Sequence, residues 1–285
     1  MGTWLHNTWN AIKGFLITAV LTTLIVAGLR IFLFASFTIP TPSMRPAILP
    51  GDHILVNKLV PGPRLDWLLK ATDTGGHKDY RVKGYRQVMR GDILVFNAPY
   101  TDSRWLARNP DLYYIKRCVG IPGDTLVING DSYQLSNRTS FFKMAIHRDK
   151  SINDAWMETY TPDMFKALKW TLTSFGPLYI PRKEEKIRLD SLNIHLYRSL
   201  IEYETGGQIS FADNMCYLDH KPYPYHVFEQ NYYFVAGDFP VDSEDSRYWG
   251  LLPEDHIVGK AAYVWRSVDP DTRKYRFDRF LKPLS

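Results

Sequence analysis

Tyr114-Ile115-Lys116-Arg117-Cys118-Val119-Gly120-Ile121-Pro122-Gly123-Asp124 is a largely apolar strand pattern, interrupted by two adjacent cations and ended by a Pro-Gly-Asp turn. Successive side chains on a strand face opposite sides, so Lys116 and Arg117 are driven apart. A strand lysine is ordinarily a solvated member of the alternation. Here Arg117 takes the outward side and Lys116 the side that is more readily buried. A desolvated amine loses its preference for the charged form, and its pKa falls from about 10.4. A fall of about two units costs about 3 kcal/mol, which the rest of the fold must offset. The result is an amine neutral enough near neutral pH to take a proton from a hydroxyl. The plain alternative is a core lysine without chemistry.

Similar short runs follow turns elsewhere. Gly51-Asp52 precedes His53-Ile54-Leu55-Val56, Gly91-Asp92 precedes Ile93-Leu94-Val95-Phe96, and Gly123-Asp124 precedes Thr125-Leu126-Val127-Ile128. Turn chemistry followed by β-branched or aromatic residues predicts strands entered from tight turns. Gly130-Asp131 reads as a hairpin turn into Ser132-Tyr133-Gln134-Leu135. Near the C-terminus, Tyr232-Tyr233-Phe234-Val235-Ala236 and Ala261-Ala262-Tyr263-Val264-Trp265 are too short and too aromatic for helices, and should join the same sheet system. No fixed-length repeat is present. The chain is therefore mostly β, with a core first part over 36–136 and a second over 231–285. Between them, 137–230 is more charged and reads as an inserted α+β subdomain. It should hold a helix from Asp163 to Trp170 after the Thr161-Pro162 start, and another from about Leu192 to Tyr203.

The N-terminus differs in kind. After a tail of residues 1–13, Gly14 to Leu29 carry no charge, and beyond Arg30 the apolar character resumes to Ala35. That makes 14–35 a transmembrane helix, since about twenty apolar residues cross the hydrocarbon core. Arg30 can snorkel to the headgroups, and Trp4 and Trp9 stand where an interfacial aromatic belt would. A cleaved secretory signal is the competing reading, but the run exceeds an ordinary signal core and no convincing A-x-A site follows. Lys13 before the span and Arg45 after it leave the orientation undecided by charge.

Composition narrows the rest. A net charge of +5 spread among acidic residues in a chain of 285 argues for a solvated surface and against nucleic-acid binding. Cys118 and Cys216 leave room for one disulfide and show no CxxC. Cys216 with His220 and His226 lacks the further ligands of a zinc site. Nothing matches HExxH, and no G-x-S-x-G supports a Ser-His-Asp hydrolase.

Just after the apolar span stands Pro40-Thr41-Pro42-Ser43-Met44-Arg45-Pro46. Each proline pushes the residue before it toward extended geometry, so the loop is stiff and irregular and presents two hydroxyls close together. Rigid presentation suits a nucleophile, because effective molarity falls when reacting atoms wander. By itself the segment also reads as a proline-rich linker.

Four segments in order carry a resemblance: the Pro-x-x-Ser-Met-x-Pro loop after the span, Arg90 to Phe96 (Arg-Gly-Asp-Ile-Leu-Val-Phe), the strand and turn at 114–124, and Gly237-Asp238 with Asp245-Ser246-Arg247-Tyr248-Trp249-Gly250. Together they resemble the signature boxes of bacterial type I signal peptidases, covering the anchor and both flanks of the insert. No histidine lies in any of them. The resemblance implies an antiparallel β-sheet catalytic core and a serine endopeptidase with a Ser/Lys dyad, which removes signal peptides from exported preproteins after small residues at −1 and −3. It implies Ser43 as nucleophile, Lys116 as general base, and Thr41 with the Ser43 backbone N–H as the oxyanion hole. Ser243 would hydrogen-bond and orient the amine, with Asp245 and Arg247 as an ion pair holding that segment. Phe37, Ile39, Met44, Ile48, Tyr114 and Ile115 would line small apolar substrate pockets. No metal or cofactor is implied. The expected partners are preprotein signal peptides and the lipid bilayer, at the bacterial inner membrane, in a single-pass arrangement with the catalytic domain on the periplasmic side.

One departure stands out. After Gly237-Asp238 the family usually continues Asn-Arg, whereas this chain has Phe239-Pro240-Val241, and Asp242 where Asn is common. It keeps open two other readings, a specialised processing peptidase with few clients and a catalytically inactive membrane-tethered binding protein.

Overall fold

The apolar N-terminus forms one helix, α1 (Gly2–Phe32), in a computed structural model that describes residues 2–65, 81–100, 106–130, 132–136, 141–145, 168–171 and 174–284. Its stretch Ile12–Phe32 has 21 residues and a mean hydropathy of 2.2, with none of the window buried against the protein. The helix stops earlier than the apolar pattern suggested. Phe34 and Ala35 belong to the first strand, β1 (Phe34–Thr38), which pairs antiparallel with β2 (Asp52–Asn57). The cause is tertiary: Lys58 Nζ donates to the Arg30 and Ile31 carbonyls at 2.8 and 3.2 Å, and Lys58 N–H donates to Leu33 O at 2.9 Å. An ammonium on the last carbonyls of a helix satisfies orphan acceptors and complements the helix dipole.

The remaining strands are β3 (Ile93–Asn97), β4 (Tyr113–Gly120), β5 (Thr125–Asn129), β6 (Ser132–Ser136), β7 (Phe141–Ala145), β8 (Ser174–Tyr179) and β9 (Lys186–Arg188). After helix α2 (Asn193–Thr205) come β10 (Ile209–Ala212), β11 (Met215–Leu218), β12 (Lys221–Pro222), β13 (Tyr225–Val227) and β14 (Tyr232–Ala236). A short helix α3 (Ser246–Trp249) precedes β15 (Leu252–Pro253), β16 (Ile257–Ser267) and β17 (Lys282–Pro283).

The main sheet runs β1-β2-β16-β3-β4-β14-β15, with β17 on β16, and its pairings are antiparallel. Strands from both ends of the chain thus interleave in one sheet. A second sheet, β7-β6-β5-β8, draws β5 and β6 from residues up to 136 and β7 and β8 from after it. The helix expected from about Leu192 forms as α2, ended by Gly206 at φ 68°. Most of the one expected from Asp163, residues 163–167, lies outside the described residues.

The Gly-Asp pattern has a physical explanation. Gly51, Gly91 and Gly123 have φ of 87°, 89° and 90°, a region that favours glycine. The following aspartates accept from the backbone N–H three residues earlier: Leu49 to Asp52 at 2.8 Å, Met89 to Asp92 at 3.0 Å, Ile121 to Asp124 at 3.0 Å. Each carboxylate also takes an arginine fork, from Arg279, Arg86 and Arg90 in turn. A rigid strand entry is the outcome in each case.

Candidate active site

The alternation on β4 separates Lys116 and Arg117: the first reaches the Pro40–Pro46 loop, the second Asp238 after β14 and Gly91 before β3. Lys116 is 5% exposed and its Nζ is hydrogen-bonded to Ser43 Oγ at 2.9 Å. Ser43, 4% exposed, comes from a loop folded back on itself by Arg45 N–H to Pro42 O and Ile48 N–H to Met44 O, both 2.9 Å. Burial lowers the Lys116 pKa, and the Arg247 charge adds to that; Asp245, Glu244 and Asp242 act in the opposite direction without overcoming it. A buried amine that faces a hydroxyl, with its pKa drawn down, can accept that hydroxyl's proton.

Arg117 is not the plain solvated residue expected. Its Nε and Nη2 grip the two oxygens of Asp238 at 2.7 Å each, and Nη1 donates to Gly91 O at 2.7 Å. One strand therefore holds Ser43 with one side chain and the residue after Gly237 with the next.

The loop after β14 closes the site. Asp245 accepts from Arg247 Nε at 2.8 Å and Nη2 at 2.8 Å, from Gly237 N–H at 3.0 Å and from the Ser243 hydroxyl at 2.7 Å. Burial alone would raise the Asp245 pKa, but the Arg247 charge and these hydrogen bonds hold it below the usual carboxylate range. Burial works against the Arg247 charge, and Asp245 more than restores it. The Ser243 hydroxyl gives its proton to Asp245 and so braces the ion pair.

Gly237 is a functional position that sequence reading quoted without assigning a role. A Cβ there would come 2.2 Å from Ser243 Oγ and 2.6 Å from Ser43 O, so only a glycine lets the chain leaving β14 run this close to the serine loop. The departure at Phe239 leaves a backbone tie intact, since Phe239 N–H donates to Ser43 O at 3.0 Å. Arg247 Nη2 also donates to Pro240 O at 3.1 Å.

Among the apolar candidates, Ile39, Met44, Ile48 and Ile115 are buried in one cluster with Ile54, Val56 and Val95, and Phe37 packs on it half-buried. Met44 and Ile48 are fully covered, so this group is a floor, with Phe37 left to offer surface. Tyr114 is on the other face of β4 and packs edge-on against Phe96, with its ring centroid 5.5 Å from Lys116 Nζ. Thr41 is exposed, two residues before Ser43.

The cysteines are both buried free thiols in different clusters, Cys118 with Tyr233 and Val235, Cys216 with Leu200 and Ile209, so no disulfide joins them. His226 is paired with Glu204 at 2.8 Å and Tyr223 at 3.0 Å.

The chain as a whole is similar to known proteins. A family model described as "Signal peptidase, peptidase S26" matches residues 12–266. A signal peptidase I of Haemophilus influenzae is 27% identical over 282 residues, 91% of this chain and 72% of that protein. Signal peptidase I of Pseudomonas fluorescens is 30% identical over 253 residues, 85% of this chain and 68% of that protein. Signal peptidase I of Aquifex aeolicus is 28% identical over 247 residues, 86% of this chain and 80% of that protein. With four ordered segments, an apolar N-terminal helix and a match over most of its length, the chain belongs to the signal peptidase family, peptidase S26, and is a membrane-anchored peptidase.

Proposed function

We propose that the chain is a signal peptidase I that works through a Ser43/Lys116 dyad. The observation that carries this reading is the buried 2.9 Å contact between Lys116 Nζ and Ser43 Oγ, with the amine's pKa lowered by burial. Neutral Lys116 takes the Ser43 proton, and Ser43 Oγ attacks the carbonyl carbon of the scissile peptide. The Thr41 hydroxyl and the Ser43 N–H donate to the oxyanion, each donor being worth about 3 kcal/mol in the transition state. The resulting ammonium returns its proton to the leaving amine. Lys116 then draws a proton from water, which attacks the acyl-enzyme, and passes that proton to Ser43 Oγ as the ester bond breaks, so that the serine hydroxyl and the neutral amine are both restored.

The substrate backbone adds as a strand beside the site, and shallow apolar pockets above the Ile39–Met44–Ile48–Ile115 floor admit small side chains at −1 and −3. Helix α1 spans the bilayer and sets the domain at its outer, periplasmic face in the bacterial inner membrane, where the cleavage site of an exported preprotein emerges. Clients are preproteins with N-terminal signal peptides. Profiling several preproteins separates a general enzyme from a specialised one, which would cut one or two of them.

The test is preprotein cleavage in detergent by the full chain, Ser43→Ala and Lys116→Ala. Both variants are expected to lose at least about 10³-fold in turnover while remaining folded. Normal activity of Lys116→Ala refutes the dyad, and a wild-type chain with no Ser43-dependent turnover on any signal-bearing substrate favours the inactive binding protein.

A further inference from the structure

Beside the dyad, the exposed Glu244 lies between two buried neighbours, Ser243 and Asp245, that the site already uses. Its carboxylate is shared by two tyrosines from another part of the chain. Tyr100, in the segment after β3, donates to Glu244 Oε1 at 2.8 Å, and Tyr114 on β4 donates to Oε2 at 3.3 Å. The two tyrosine hydroxyls also meet each other, so the pair shares two protons among these three contacts. Their rings are 6.2 Å apart, and Phe96 backs Tyr114 from the core side.

We infer that Glu244 is a positioning residue for the dyad: it ties the Tyr100 and Tyr114 hydroxyls to the loop after β14, and so holds the Tyr114 ring beside the Lys116 amine. The inference rests on the dyad reading and extends it to Glu244 and Tyr100, which lie outside the four matched segments, and to a second role for Tyr114. A tyrosine alone at that place could swing about χ1, and the amine two residues on would lose one of its walls. With both phenols fixed on one carboxylate, β4 and the loop that carries Ser243 and Asp245 move as a unit. Pre-set geometry of this kind is what keeps reacting atoms within productive distance.

Glu244 has a second effect, which separates its role from simple bracing. The charged groups acting on Lys116 from the loop after β14 are Asp245, Glu244, Arg247 and Asp242. From β4 comes the Tyr114 ring, from the segment after β3 the Tyr100 hydroxyl through Tyr114, and from the serine loop the Ser43 hydroxyl. Asp245 is the stronger of the carboxylates acting on the amine but is gripped by Arg247, whose charge acts against it, whereas Glu244, though exposed, meets neutral phenols. A negative field favours the ammonium. Glu244 therefore delays, as pH rises, the point at which Lys116 becomes a base.

The experiment is the pH profile of kcat/KM for a signal-peptide-derived peptide, using the full chain in detergent, with Ser43→Ala as the blank. Glu244→Gln should move the acid limb to lower pH by about half a unit. Glu244→Asp keeps the charge and should return the limb toward the wild-type position. Tyr100→Phe keeps the carboxylate and should leave the limb in place while lowering kcat by roughly threefold, because Tyr114 loses one of its ties. A Glu244→Gln profile that overlays the wild type, in a protein with unchanged melting temperature, overturns the inference and leaves the dyad standing. Cleavage by Ser43→Ala equal to wild type would instead overturn the dyad itself, and the inference with it.

Discussion

Two cations in this molecule are buried to nearly the same degree, and they meet different partners. Arg247, 2% exposed, faces the Asp245 carboxylate through two 2.8 Å bonds, and Lys116, 5% exposed, faces the Ser43 hydroxyl at 2.9 Å. Desolvation penalises both charges. At Arg247 a full counter-charge outweighs it and the guanidinium stays ionised; at Lys116 a hydroxyl does not, and the amine is drawn toward its neutral form. Burial therefore does not choose the protonation state alone. The partner does, and the fold has placed a carboxylate where it needs structure and a hydroxyl where it needs a base.

The comparison can be broken from either side. Removing Arg247 should cost most: Arg247→Met leaves Asp245 buried and unpaired, which costs about 3–5 kcal/mol. Urea unfolding of the detergent-solubilised chain checks this, and a loss below 1 kcal/mol would mean that water reaches Asp245. Gly237→Ala probes the seam between the two regions. Its Cβ must displace Ser43 or Ser243, and a shift of that kind should lower kcat by about 10²-fold, with a smaller loss of stability. The opposite sign is expected at Lys116. Lys116→Met removes a desolvated amine from an apolar wall and should stabilise the chain by on the order of 1 kcal/mol while abolishing turnover. Destabilisation there would show that the amine is charged and well paired.

The smallest effect concerns acid. Burial raises the pKa of Asp255, but its hydrogen bond to His256 and the facing charges outweigh that and bring it to about 2. Asp245 is lowered likewise. Folded values below the unfolded 3.8 mean that the stability from these carboxylates is complete above that pH and is lost as pH falls through the folded values. Melting temperatures of the wild type should drop most steeply below pH 4, and Asp245→Asn should flatten that slope.

Much of this was legible because it is local. Lys116 stands in a strand with a readable alternation, and the prolines around Ser43 announce a stiff loop on their own. The strand entries declare themselves through Gly-Asp pairs whose geometry needs nothing distant. What could not be read depends on which segments the sheet brings together. Arg117 looked like a surface residue because its partner Asp238 is 121 positions away, and Glu244 gave no sign of Tyr100 across 144. The end of α1 was misplaced for the same reason: Phe34 and Ala35 are as apolar as the span, and only pairing with β2 and the Lys58 cap turn them into a strand. That Ser243 donates to Asp245 was likewise not legible, because sequence order does not show which acceptor a hydroxyl will find.

The most direct measurement is the titration of the Lys116 amine itself, by NMR on the full chain labelled with ¹⁵N-lysine in detergent, its resonance assigned by its absence from Lys116→Met. A midpoint well below the ordinary lysine value of 10.5, moving further down when Glu244 is replaced by Gln, is the predicted result. A Lys116 that titrates like the surface lysines of the same protein would contradict it.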